Sequence, residues 1–429
     1  MLLSFNDFIK ESKKTTIVDE LNEGGAFGHM AHPYDDINLT FGEISEIIEI
    51  SLSGELNKEE QATEKLDGQA LAISWKNGHL IAARNKGDRK NAGEDALSVQ
   101  GVIDKFEGRG EISNAFGEAA RDLESALSRI PEDKLEDLFD EGKKFMHLEI
   151  IYPGTTNVIN YDTAKLIFHS ITTYDMDGNP IDDDKKAAAQ LQKIIKDVNA
   201  DIQKTYHISP PTAINLPKHI EFDEKKDYFL KKLSNIEKEA GLNSSATIAD
   251  YIKFKFMELI DNKDKDSEID DATLIGLLNR WIRFDKSFNL RKIDTFVKNK
   301  SLAEWIYNFD KKGAAEAYKE FLKPFEYLFL ELGATILKNA AGFMAANPDE
   351  AVQKIKKEIE RVAREIENSK DITKMDKLKT ELDRIQALGG FEAIVPIEGL
   401  VFVYNGKTYK FTGSFAPVGQ ILGTLKYSK

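Results

Sequence analysis

Apolar positions between residues 69 and 83 fall into two short runs, "ALAISW" and "HLIAA", on either side of Lys76-Asn77-Gly78. Asn-Gly supplies the two positive-φ residues of a tight turn, so the pattern predicts a β-hairpin. The runs "FMHLEIIY" (145–152) and "AKLIFHSITTYD" (164–175) predict further strands, and "DMDGNP" (175–180) predicts a turn. "SNAFGEAARDLESALSRI" has helical periodicity, with Ser113 placed as its N-cap. From residue 181 the helical period takes over. In "NPDEAVQKIKKEIERVAREIE", Asn347 caps, Pro348 takes the first turn, and Val352, Ile355, Ile359, Val362 and Ile366 form one stripe. A second helix with Leu378, Leu382 and Ile385 stops at Gly389-Gly390, and the pair predicts an antiparallel hairpin with its stripe packed internally. Residues 391–429 return to β, with two strands around Asn405-Gly406.

The implied class is α+β. Residues 1–60 read as a helical lead-in, and 61–180 as the first part of a core of antiparallel sheets and helices. Residues 181–390 read as an all-α insertion, and 391–429 as the second part of the core. A strand pair at the C-terminal end cannot bury a core alone, which favours an interrupted core over successive domains.

Composition narrows the class. A chain of 429 residues calls for two or three domains. No apolar run reaches the roughly 18 residues of a membrane span. The start "MLLSFNDFIKES" lacks the basic and long apolar regions of a signal peptide, and the chain has no cysteine, so a reducing cytoplasm is expected. The formal charge of −14 excludes a uniformly basic nucleic-acid-binding surface. Any nucleic-acid contact then needs a local basic patch, for which "ARNKGDRKNAG" (83–93) is the candidate and a solvated loop the alternative. His29, His32, Asp35 and Asp36 have metal-ligand residue types, but the surrounding glycines and Pro33 read first as a loop.

The candidate chemistry lies at the ends of the split core. Glu64, Lys65, Asp67 and Gly68 precede the first hairpin, and Arg84 follows it. Glu149 and Glu398 stand among apolar strand residues, where an acidic side chain is costly without a partner. Lys407 and Lys410 follow on the last strand.

In this order the residues resemble the covalent nucleotidyltransferases: ATP-dependent DNA ligases, RNA ligases and mRNA capping enzymes. "EKLDG", "AARNKG", "FMHLEIIY", "LIFHSITTYDMDG", "IEGLVFV" and "GKTYKFTG" resemble that family's collinear motifs. The resemblance spans about 65–178 and 395–415. It implies that Lys65 takes the nucleotide, Glu64 reads the base edge and Arg84 holds phosphate or ribose. Glu149 and Glu398 would hold ribose or Mg2+, Lys407 and Lys410 the phosphates, and Phe168 would stack on the base, with Tyr174 next. The implied cofactors are ATP and Mg2+. The implied activity is sealing of 5′-phosphate and 3′-hydroxyl ends through a lysyl-AMP intermediate, on RNA in preference to DNA. Transfer of AMP to a protein or small molecule, and a degenerate core kept as a binding or structural module, are the alternatives. Physically, a lysine attacks phosphorus only as the free amine, and nearby cations with partial burial favour that form. The chain departs from the pattern at Ala70, where members often carry Arg or Asn, and in the two residues between Lys407 and Lys410. With 19 residues after Lys410, no oligonucleotide-binding barrel is expected.

Overall fold

The hairpin around Asn77-Gly78 forms as expected, from β2 (Gln69–Lys76) and β3 (His79–Ala83), with φ of 52° and 76° at the two turn residues. The computed structural model describes residues 31–66, 68–155, 164–198, 206–209, 211, 213, 214, 216–263, 269–344, 348–395 and 398–426. Asp67, His29 and Asn347 lie outside them. Among the described residues the fold is α+β with open sheets and no barrel.

The larger sheet has the order β4-β3-β2-β5-β6-β7, with β8 beside β6. Its further strands are β4 (Leu97–Ser98), β5 (Lys144–Ile151), β6 (Lys165–Tyr174), β7 (Pro180–Asp184) and β8 (His207–Ser209). All pairs are antiparallel except β6 with β8. Leu71, Leu80, Leu148 and Phe168 on one face share a core with Phe116 and Leu123 of helix Glu111–Leu127 and Leu191 of helix Lys185–Val198. That helix begins two residues before Ser113, with Gly110 at its cap; the Ser113 hydroxyl accepts from the Arg109 amide and donates to the Phe106 carbonyl instead.

The smaller sheet joins the two ends of the described β structure. β1 (Thr63–Lys65) pairs with β9 (Gly399–Tyr404), which pairs with β10 (Lys407–Thr412). Asn405 and Gly406 turn the hairpin at φ of 51° and 71°, and their amides donate to the Glu59 carboxylate at 2.7 and 3.0 Å. The alternation is clear: Leu400, Phe402, Tyr409 and Phe411 are buried, while Thr63, Lys65, Val401 and Lys410 share the half-exposed face. At Gly399, between Lys65 and Thr412, a Cβ would collide with the Phe411 carbonyl oxygen. Gly399→Ala is therefore expected to destabilise the protein by about 1–3 kcal/mol through overpacking, seen as a lower urea midpoint.

Helix Pro348–Ser369 starts at its proline, and its stripe packs with Leu378 and Ile385 of helix Ile372–Ala387 and Val418 and Ile421 of helix Phe415–Lys426. The expected hairpin and its internal stripe are both present.

The chain divides into two compact units. One comprises the described parts of 56–216 and 333–429, including both sheets; the other comprises 31–55 and 217–332. Within 181–390, β7, helix Lys185–Val198, β8 and the two helices from 348 to 387 thus belong to the sheet unit, and helix Phe41–Ser53 belongs to the other. In that helical unit, Phe41, Tyr251 and Phe325 pack at centroid distances of 5.3–5.7 Å, and Phe256 contacts Trp281, Phe309 and Phe321 at 5.0–6.3 Å. Thr40 and Glu43 close a capping box at the start of Phe41–Ser53.

Candidate functional site

Antiparallel pairing of β1 with β9 sets Lys65 opposite Gly399, so the preceding residue, Glu398, reaches the lysine. The Lys65 ammonium and the Glu398 carboxylate form an ion pair across 333 residues of sequence. The side chains are 20% and 13% exposed, so the pair is largely shielded.

The residues after Lys65 fix this pair to the larger sheet. Leu66 packs with Ile151 of β5 and Ile167 of β6. Gly68 lies so close to β5 that a Cβ there would stand 3.1 Å from the Glu149 Cβ and 2.8 Å from Ile151 Cδ1. The Lys-x-Asp-Gly string thus ends in glycine because the chain crosses β5 there without room for a side chain.

Glu149 is paired on this same side. Its Oε2 lies 3.2 Å from His169 Nε2 on β6, with the two side chains 18% and 32% exposed. Glu64 has its acidity reduced chiefly by burial; the Lys165 ammonium opposes that and the Glu149 carboxylate adds to it. Lys65 meets Glu398 on one face of β1; Glu64, opposite Leu400 and so on the other face, lies with Glu149, and Lys165 and His169 are additional members there. Neither of these two was singled out in the sequence. On β6, Lys165, Ile167 and His169 alternate with Leu166 and Phe168 of the sheet–helix core, but Ile167 is itself buried, so the sequence pattern does not mark this face.

Lys410 is on the Lys65 face of the smaller sheet, in the row Thr63–Val401–Lys410. Lys407 sits at the exposed hairpin end, opposite Tyr404, and is out of phase with that face.

Arg84 points to the helical side of the larger sheet. Its guanidinium donates to the Ala70 carbonyl and lies 5.1 Å from the Phe116 ring centroid and 5.6 Å from that of Phe106. Burial, then the nearby Arg109, lowers its affinity for a proton. Ala70 is the register partner of Glu149, so Arg84 reaches the backbone beside the site; no described contact joins it to Lys65.

The two aromatic expectations are corrected. Phe168 is 2% exposed inside the sheet–helix core and offers no ring face to a ligand. Tyr174 is 7% exposed, its hydroxyl 2.6 Å from His147 Nε2 and its ring 5.0 Å beneath the Arg89 guanidinium. Burial, with Arg89 and His169 adding to it, holds His147 neutral well below the usual histidine range.

The 83–93 patch is also reduced by internal contacts. Arg84 and Arg89 are engaged as above, and Lys86 binds the Asn179 side chain at 2.6 Å. His32 and Asp35 serve a local cap, with the His32 amide donating to Asp35 Oδ2 at 2.7 Å and the His32 ring stacked on Tyr34. Among the described residues no cluster of three or more His, Cys, Asp or Glu has the form of a metal site, and no helix is long and apolar enough to cross a membrane.

No protein-family model, curated protein or solved structure matches the chain.

Proposed function

We propose that the protein is an ATP-dependent, ligase-like nucleotidyltransferase in which Lys65 accepts AMP and passes it to a polynucleotide 5′-phosphate. The observation that carries this reading is the Lys65–Glu398 pair: the lysine of a Lys-x-Asp-Gly string and the glutamate of a Glu-Gly-Leu-Val string, 333 residues apart, meet where β1 pairs with the start of β9. The family resemblance expects both residues at one nucleotide.

The pair also supports a route for the proton. Glu398 receives a proton from the Lys65 ammonium, and the free amine attacks the α-phosphorus of ATP. The new N–P bond forms as the bond to the β-phosphate oxygen breaks, and pyrophosphate leaves with the electron pair. Lys410 offsets negative charge on the phosphates from the same sheet face. An acceptor 5′-phosphate oxygen then attacks the lysyl-bound phosphorus and returns Lys65 to the amine. A 3′-hydroxyl finally displaces AMP. Glu398 and Glu149 are largely shielded carboxylates, a donor type that suits Mg2+, which takes few protein ligands and completes its shell with water and phosphate. When bound there, Mg2+ would neutralise developing phosphate charge. Glu149 is oriented by His169, and Glu64, partly buried beside it, can accept from a base or ribose donor.

The test is intact-mass measurement after incubation with ATP and Mg2+, which is expected to show one added AMP. The closed ion pair favours a second reading, a structural staple in a core without catalysis. Failure to load from any of the four nucleoside triphosphates would support that reading.

The strand register separates the two lysines. Lys410→Ala is expected to slow AMP loading by roughly 100-fold, the order of one lost preorganised contact. Lys407→Ala should change it less than about twofold, as for an exposed charge. Single-turnover loading with radiolabelled ATP measures both, and equal effects would refute the face assignment.

A further inference from the structure

The helical unit carries a basic surface that the nucleotide chemistry does not use. Between residues 283 and 312, eight Lys and Arg stand against four Asp and Glu, in a chain whose net charge is −14. All eight are exposed except Arg283. Of the four acids, Asp310 is neutralised internally: Arg280 donates to both of its carboxylate oxygens at 2.6 and 2.8 Å, and Trp281 Nε1 donates at 3.1 Å. The exposed charge is thus more one-sided than the sequence count. By contrast, the 83–93 stretch spends three of its four cations on internal contacts.

The cations are interleaved with accessible rings. In helix Lys300–Lys312, Lys311 stands one turn from Tyr307, its ammonium 3.8 Å from the ring centroid. Lys311, and to a lesser degree the exposed Arg291 of the turn Leu290–Lys292, strengthens the acidity of the phenol. The short helix Ile293–Phe296, packed on Lys300–Lys312, ends in Phe296, which is 44% exposed. Positive charge follows a phosphate backbone, and exposed rings give unpaired bases a stacking surface. An acidic partner protein would use the charge but not the rings, and a duplex hides the base faces.

We propose that the surface formed by Arg291, Lys292, Phe296, Tyr307 and Lys311 binds a single-stranded polynucleotide. It rests on the ligase-like reading for the purpose of that binding and names the partner on the helical unit rather than at 83–93.

The experiment is fluorescence anisotropy of labelled oligouridine against the full chain, without ATP, over a salt series. The parent is expected to bind at low salt. R291E/K311E should weaken binding about tenfold or more. Its log–log salt slope should be shallower by about 1.4, since each phosphate contact on a single strand contributes about 0.7. The control K231E/K238E reverses two exposed charges on helix Phe222–Glu239 of the same unit and should stay within about twofold of the parent. Equal losses in both double variants would reduce the effect to net charge and overturn the site. No binding by the parent at low salt, or a duplex of the same length bound as tightly as the single strand, would also overturn it. AMP loading is followed separately by mass. A chain that binds oligouridine at this surface but takes no AMP sinks the enzymatic reading alone. One that loads AMP, with an affinity indifferent to R291E/K311E, sinks the surface alone.

Discussion

Lys65→Arg is expected to abolish AMP loading while leaving the fold intact. The argument separates two properties of one side chain. As a cation, Lys65 balances Glu398 in a largely shielded position, and deleting it removes that contact. Lys65→Ala therefore mixes a chemical loss with a structural one. Arginine keeps a positive charge and can still bind the carboxylate, but its guanidinium stays protonated and is no nucleophile. If Lys65 carries the AMP, Lys65→Arg should show no adduct by intact mass while its thermal unfolding stays near that of the parent. Peptide mapping of the loaded parent should place the adduct in the segment containing Lys65. An adduct of undiminished yield on Lys65→Arg would remove the residue from the chemistry and leave the ion pair as a staple.

The sequence was most readable where local chemistry dictates the backbone. Asn77-Gly78 and Asn405-Gly406 both turn their hairpins at positive φ. Pro348 starts its helix, and the 352–366 stripe is packed as its period required. The face of β6 was not readable. Ile167 and Phe168 are adjacent and apolar, and both faces of the strand are covered, so alternation gives no sign of which side meets the site. A register shift between His147 and Leu148 breaks the phase with β5 as well. That is why Phe168 looked available and His169 went unnoticed. The pairing of Lys65 with Glu398 could be anticipated only from motif order, because no local rule links residues separated by hundreds of positions. The compact units escaped for a related reason. Helices such as Lys185–Val198 and Ile372–Ala387 carry ordinary helical periods, and the period does not say which unit they cover. At 83–93 composition showed the charges but not their contacts, so Arg84 and Arg89 counted as surface.

Glu398→Gln should slow AMP loading by roughly 100- to 1000-fold, the range for losing one preorganised electrostatic group. Glutamine matches the shape of glutamate, so β9 and its pairing with β1 should persist and the urea midpoint should move little. Two functions disappear together: the acceptor for the Lys65 proton and a carboxylate able to hold Mg2+. The pH dependence separates them. An amine is nucleophilic only when neutral, so without an internal acceptor the proton must leave to solvent, and the variant's loading rate should climb more steeply between pH 7 and 9 than the parent's. If metal binding is the main loss, the two profiles should run parallel, and raising Mg2+ should recover part of the rate. Single-turnover loading across pH and Mg2+ concentration distinguishes the cases. Loading at the parent rate under every condition would show that the Lys65–Glu398 contact, although closed in the fold, takes no part in nucleotide chemistry.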